Sequence, residues 1–115
     1  MNNKIDYIEF GGNGGENIPK LKEFYTTCFG WKFTDYGPDY VSFDDGRITG
    51  GFDAGKQELS GSPLIVIYSE NLQQIKETIT NNGGKIVKDI YEFPGGKRFH
   101  FADPAGNELA VWSDK

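Results

Sequence analysis

His100 is the only histidine in the chain and lies between Phe99 and Phe101. An imidazole titrates near neutral pH, so here it suits general acid or base work, with Glu9 or Glu108 as the carboxylate to pair with it. Arg98, two residues earlier, offers a planar fork of donors for a carboxylate or phosphate on a ligand. Trp112 and Tyr68 are rings on which a guest can stack. The same residues have plainer uses: an imidazole bonded to a neighbouring strand, an arginine at an exposed strand end, a glutamate at a rim. For His100 the favoured use is contact with a ligand, with catalysis and a purely structural place as the alternatives.

The remaining chemistry-bearing residues are fewer. Cys28 falls on the apolar face of a predicted helix and reads as a small buried hydrophobe rather than a nucleophile. It has no partner for an internal disulfide, which fits a reducing compartment and a cytoplasmic protein. Gly11 to Gly15 lacks the strand–GxGxxG–helix spacing of a dinucleotide site. Phe93-Pro94-Gly95-Gly96-Lys97 reads as a hairpin loop, with a flap over the ligand as the alternative. A net charge of −5 argues against nucleic acid, which requires a basic face to displace counterions. No run of about eighteen apolar residues is present, and the N-terminus lacks the pattern of a signal peptide. The chain is therefore expected to bind neither nucleic acid nor membrane, and its acidity leans toward a cationic guest.

The elements that must hold these side chains follow from periodicity. Lys4 to Phe10 alternates as a half-buried strand. A helix is expected from the N-cap Asn17, with Ile18, Leu21, Phe24 or Tyr25, and Cys28 as its buried stripe and Gly30 as its stop. Strands follow near 31–36, 40–43 and 48–52. The second half repeats the plan. Leu64–Tyr68 is a strand, Ser69 an N-cap, and Leu72, Ile75 and Ile79 a helical stripe stopped at Gly83-Gly84. Strands near 85–91, 98–102 and 108–112 complete it. Asp103-Pro104-Ala105-Gly106-Asn107 is a tight turn, with Pro104 presetting φ and Gly106 or Asn107 able to take φ > 0. Leu21-Lys22-Glu23 matches Ile75-Lys76-Glu77, a spacing of 54 residues. The chain thus reads as one α+β domain, residues 1–115, of two βαβββ modules (4–53 and 63–113) whose curved mixed sheet surrounds a concave pocket.

Two motifs carry a resemblance: Glu23-Phe24-Tyr25-x-x-x-Phe29-Gly30-Trp31 and Asp103-Pro104-x-Gly106-Asn107-x-x-x-Val111-Trp112. With the module plan they resemble the vicinal oxygen chelate superfamily, which includes glyoxalase I, extradiol dioxygenases, fosfomycin-resistance enzymes and bleomycin-binding proteins. The resemblance implies a glyoxalase-like fold and, in metal-dependent members, a divalent ion held by His, Gln or Glu. Carried over, the ligand positions fall on Tyr7 (or Glu9, given the Gly-rich insertion), Gly50, Leu64 and Ala110. Leu64, Ala110 and Gly50 have no ligating side chain, and tyrosine is a poor substitute for the usual ligands. No metal and no cofactor is expected, and glyoxalase I or extradiol dioxygenase activity is disfavoured. A set of His100, Glu9 and Glu108 is the one rescue the sequence offers.

Alternation assigns the faces. Val41, Phe43, Phe99, Phe101, Leu109 and Val111 should lie under the helices. Tyr7, Glu9, Ser42, Val66, Tyr68, Arg98, His100, Glu108 and Trp112 should point into the cup, an aromatic-walled surface with a few polar groups. The expected protein is a homodimer that holds a small organic ligand without a metal, similar to the bleomycin-resistance branch. The alternative is a lyase or isomerase using His100 with Glu9 or Glu108, and whether any reaction is catalysed stays open.

Overall fold

A computed structural model of the chain describes residues 5–57 and 63–115. The expected start of the first strand at Lys4 lies outside the described residues. The first module comprises β1 (Tyr7–Gly11), α1 (Asn17–Phe29), β2 (Lys32–Asp35), β3 (Tyr40–Asp44) and β4 (Thr49–Asp53). The second repeats it with β5 (Ile65–Tyr68), α2 (Leu72–Asn81), β6 (Lys85–Phe93), β7 (Gly96–Ala102) and β8 (Glu108–Ser113). Each module carries a mixed four-stranded sheet, ordered β1-β4-β3-β2 and β5-β8-β7-β6, with the first strand parallel to the last and all other pairs antiparallel. The two βαβββ modules expected from the sequence are present, and among the described residues the strands pair only within their own module.

The helices and the core explain the two layers. Ile18, Leu21, Phe24, Tyr25 and Cys28 recur every three or four residues, so α1 presents one apolar stripe, and all five are buried. The stripe serves both modules: Phe24 and Phe29 pack on Phe101 of β7, while Tyr25 stacks on Phe52 of β4 and on Trp31. α1 also packs against α2, with the Cys28 thiol directed at the Thr78 carbonyl. Both sheets turn their apolar faces to this shared core, in which Val41, Phe43, Phe99, Phe101, Leu109 and Val111 are all buried. Each such side chain contributes about 1.5–3 kcal/mol relative to exposure, so the core fixes which face of each strand remains outward.

Helix ends differ in part from expectation. Gly30 closes α1 at φ 72°, donating to the Thr26 carbonyl at 3.0 Å. At the N-terminus Glu16, not Asn17, holds the cap position, and the Asn17 amide donates back to the Gly12 and Asn13 carbonyls. Ser69 is not the cap of α2 either. Asn71 is, accepting the Gln74 amide at 3.0 Å, because its extended backbone lets the short side chain reach back.

The Asp-Pro-Ala-Gly-Asn turn is the joint between modules. Asp103 is 4 % exposed, and its carboxylate accepts the backbone amides of Ala105 and Asn107, the Asn107 side chain and the Tyr25 hydroxyl (2.9 Å). Asn107 in turn donates to the Gly11 carbonyl at 2.8 Å. One buried side chain therefore ties the β7–β8 turn to α1, and its partner ties the turn to the end of β1.

Candidate functional site

The outward faces of the two sheets carry two separate clusters of polar and aromatic side chains. On the first sheet, pairing of Glu9 and Ser42 with Gly51 places all three on the face away from the core. Tyr40 donates to Glu9 Oε1 at 2.9 Å, so the 2.7 Å contact between Tyr7 and Tyr40 is completed by the Tyr7 proton. Lys56 Nζ lies 3.6 Å from the other oxygen of Glu9. Desolvation, then the neighbouring Tyr7 hydroxyl and Glu9 carboxylate, hold the Tyr40 phenol far above its ordinary range. Tyr7, Tyr36, Tyr40 and Ser42 line an open groove with Lys32, Thr34 and Asp44 at its sides. Tyr40 was not among the expected site residues, although it lies two positions before Ser42 and shares its face.

The second sheet carries the larger set. His100 Nδ1 lies 2.8 Å from Glu108 Oε2, and Nε2 lies 3.0 Å from the Tyr91 hydroxyl. Arg98 Nε donates to that same hydroxyl. An ionised carboxylate only accepts, so with neutral imidazole the proton sits on Nδ1 and Nε2 accepts from Tyr91. The bonds then run one way, Arg98 to Tyr91 to His100 to Glu108. Beside them, Tyr68 meets Trp112 edge-on with ring centres 5.1 Å apart, and Phe93 lies 6.3 Å from Trp112. Asp114 accepts the Tyr68 hydroxyl at 2.7 Å; that bond, above all, raises the phenol and lowers the Asp114 carboxyl. Val66 and Tyr68 are 42 % and 44 % exposed, so this face is uncovered within the chain.

Tyr91 was not expected here, because β6 breaks the period of two. Ile86 pairs with Phe101, Lys88 with His100, and Tyr91 with Arg98, so β6 spends one extra residue in each interval. Such bulges re-aim side chains. Without the second, Ile90 would stand opposite Arg98; instead Ile90 packs on the core and Tyr91 joins the outward face. Asp89 accepts the Ile90 amide at 2.7 Å and Lys76 of α2 at 2.6 Å. The strand is thus pinned at the irregularity.

The expected cup residues therefore separate. Tyr7, Glu9 and Ser42 belong to the first sheet's face, and Val66, Tyr68, Arg98, His100, Glu108 and Trp112 to the second's. Among the described residues no hydrogen bond, ion pair or ring contact joins the two groups.

The chelate positions can be tested on the same geometry. Ala110 pairs with His100 and Val66, on the outward face. Gly50 does not face outward: a Cβ there would collide with the Ile8 carbonyl and the Phe43 ring. Gly51 is the outward residue, and a Cβ on it would meet the Tyr40 and Tyr7 phenols. The correction has a local cause. Gly106 precedes β8 by two residues, whereas Gly46 precedes β4 by three, which shifts the first module's count by one. With Gly51, Leu64 and Ala110 among the four positions, the residues present do not fit a chelated divalent ion. Glu9 is held by Tyr40 and Lys56, away from the His100–Glu108 pair, and among the described residues no three His, Cys, Asp or Glu side chains converge.

Two mixed four-stranded sheets, each built β-α-β-β-β around helices they share, define a paired-module fold of the glyoxalase type. The chain belongs to the Glyoxalase/Bleomycin resistance protein/Dioxygenase superfamily, whose family model matches residues 14–111. It resembles a glyoxalase/bleomycin resistance protein/dioxygenase family enzyme from Burkholderia phytofirmans PsJN (TM-score 0.79, 18 % identity, 96 % of this chain and 100 % of that one). It also resembles a glyoxalase-related enzyme from Fulvimarina pelagi (TM-score 0.78, 18 % identity, 96 % and 88 %). A lactoylglutathione lyase from Agrobacterium tumefaciens is similar at a TM-score of 0.72 and 16 % identity, over 98 % and 95 %. At such identities the likeness establishes the fold. No curated protein matches the sequence.

Proposed function

We propose that the chain binds a small organic molecule on the outward face of its sheets without the help of a metal. The observation that carries this reading is the exposed Tyr68 ring on the partly buried Trp112, standing beside Arg98, Tyr91 and His100, an apolar wall next to a few fixed polar groups. Binding demands shape and matching polarity but no reacting group, and the chelate positions have no ligating set to offer. A homodimer belongs to the same reading: a second copy laid against the uncovered faces would close the two half-cups over a guest. Tyr7, Val66 and Tyr68, all more than 40 % exposed, would be shielded by it. Cys28, unpaired and buried, suits a cytoplasmic setting.

The test is calorimetric titration of EDTA-treated protein with a panel of aromatic and heteroaromatic molecules, with light scattering for mass. The reading expects saturable binding without added metal and a mass about twice 12.8 kDa. Binding that appears only after a divalent ion is restored would overturn it.

The Glu108–His100–Tyr91 chain favours a second reading, acid–base catalysis by a lyase or isomerase, with His100 passing a proton between Tyr91 and Glu108. The two readings separate by following a bound molecule over time by NMR. A binding protein returns its guest unchanged; an enzyme converts it, and His100→Ala abolishes the conversion.

A further inference from the structure

Arg98 is half-buried, and among the described residues only its Nε has an acceptor, the Tyr91 hydroxyl. Among the described residues no carboxylate lies within ion-pair distance of its guanidinium. Lys88, on the neighbouring strand, stands with Nζ 4.1 Å from the Tyr91 ring centre and likewise has no carboxylate partner among them. The one carboxylate bonded within this cluster, Glu108, is taken by His100. Lys88 of the bulged strand β6 and Arg98 of β7 thus stand around one phenol, and among the described residues neither is paired with a carboxylate. The Arg98 guanidinium also lies 5.5 Å from the Phe93 ring centre, and Phe93 leads to Trp112.

We infer that this face recognises an aromatic carboxylate, the carboxylate on the Nη edge of Arg98 and near Lys88, the ring along Phe93 and Trp112. The inference rests on the small-molecule reading above and names its ligand class. The planar fork of a guanidinium matches a carboxylate in two parallel hydrogen bonds, and the Nε bond to Tyr91 together with the Phe93 ring 5.5 Å away restrains where it lies. The chain's net charge of −5 does not decide the matter. At physiological salt charges are screened over about 8 Å, so a guest on this face responds to Arg98 and Lys88 before the distant acidic surface.

The experiment uses three probes with one ring system: 2-naphthoate, neutral 2-naphthamide and cationic 2-naphthylmethylammonium, each titrated calorimetrically into the full chain. Naphthoate is expected to bind about tenfold or more tighter than the amide, as a charge-assisted pair on a partly desolvated arginine should. Arg98→Gln should bring the ratio of naphthoate to amide affinity close to one, and Lys88→Gln should lower that ratio less. Circular dichroism checks that both variants fold, and the ratio of naphthoate to amide in the unaltered protein needs no variant. Equal affinity for naphthoate and amide, or tightest binding of the ammonium, overturns the inference while the small-molecule reading stands. If no member of the wider aromatic panel binds either, that reading falls and takes the inference with it.

Discussion

Tyr25→Phe isolates a single buried hydrogen bond between the modules. The ring keeps its stacking on Trp31 (4.4 Å) and Phe52 (5.4 Å), and only the hydroxyl that donates to Asp103 at 2.9 Å is lost. A hydrogen bond to a charged group contributes about 1.5–3 kcal/mol, so about 2 kcal/mol is expected at pH 7. For 115 residues the unfolding entropy is about 240 cal/mol/K, which turns that loss into a Tm lower by about 8 °C. The pH dependence has a definite sign. Burial raises the Asp103 carboxyl above its ordinary value, although the Asn107 and Tyr25 hydrogen bonds pull it down. A raised carboxyl contributes most to the fold below its unfolded pKa of about 3.9, and that contribution is lost as pH rises through the folded value. Acidification therefore protonates Asp103 inside the fold, and Tyr25 then faces a neutral acid in a bond of about 1 kcal/mol. Thermal melts of both proteins between pH 7 and pH 4 should show the deficit shrinking as pH falls. A loss below about 2 °C at pH 7, or a deficit that grows on acidification, would refute the role given to the Asp103 network.

Other perturbations separate the faces and the core. Gly50→Ala drives a methyl into the Ile8 carbonyl and should cost about 2 kcal/mol or more, whereas Gly51→Ala meets movable phenols and should leave the melt nearly unchanged; equal effects would contradict the β4 register. Burial pushes the Cys28 thiol up to about 11, so at pH 8 about one molecule in a thousand carries the thiolate. Reaction with Ellman's reagent should then follow global unfolding, and fast labelling of the folded protein would contradict its burial. Trp112→Ala should weaken an aromatic guest by about tenfold, through loss of the partly buried ring beside Tyr68 and Phe93, and unchanged affinity in calorimetric titration of the folded variant would contradict its place in the site.

How much of this is legible in the sequence depends on whether local pattern or long-range pairing decides it. The apolar stripe of α1 and the alternation of Phe99–Phe101 and Leu109–Val111 place the core faces, because a period of two or 3.6 translates directly into a buried side. Gly30 announces its left-handed stop. The side of Gly50 was legible too, since Phe52 two residues on is a core residue; counting from the other module's turn obscured it. Tyr91 was not legible, because two bulges on β6 depend on pairing with β7 and leave no period to read. Nor was the separation of the cup residues, since sheet faces follow from alternation but the relation of one sheet to another follows from the shared core. The Asp103 motif signalled a turn; its bond to Tyr25, 78 residues away, required the packing of α1 on both modules.

The most direct test of metal-free small-molecule binding is amide chemical-shift mapping of isotope-labelled, EDTA-treated protein titrated with the aromatic panel. The account predicts saturable shifts concentrated on Tyr68, Tyr91, Arg98, His100 and Trp112, present without any divalent ion. Shifts that arise only after metal is added, or that gather away from these strands, would contradict it.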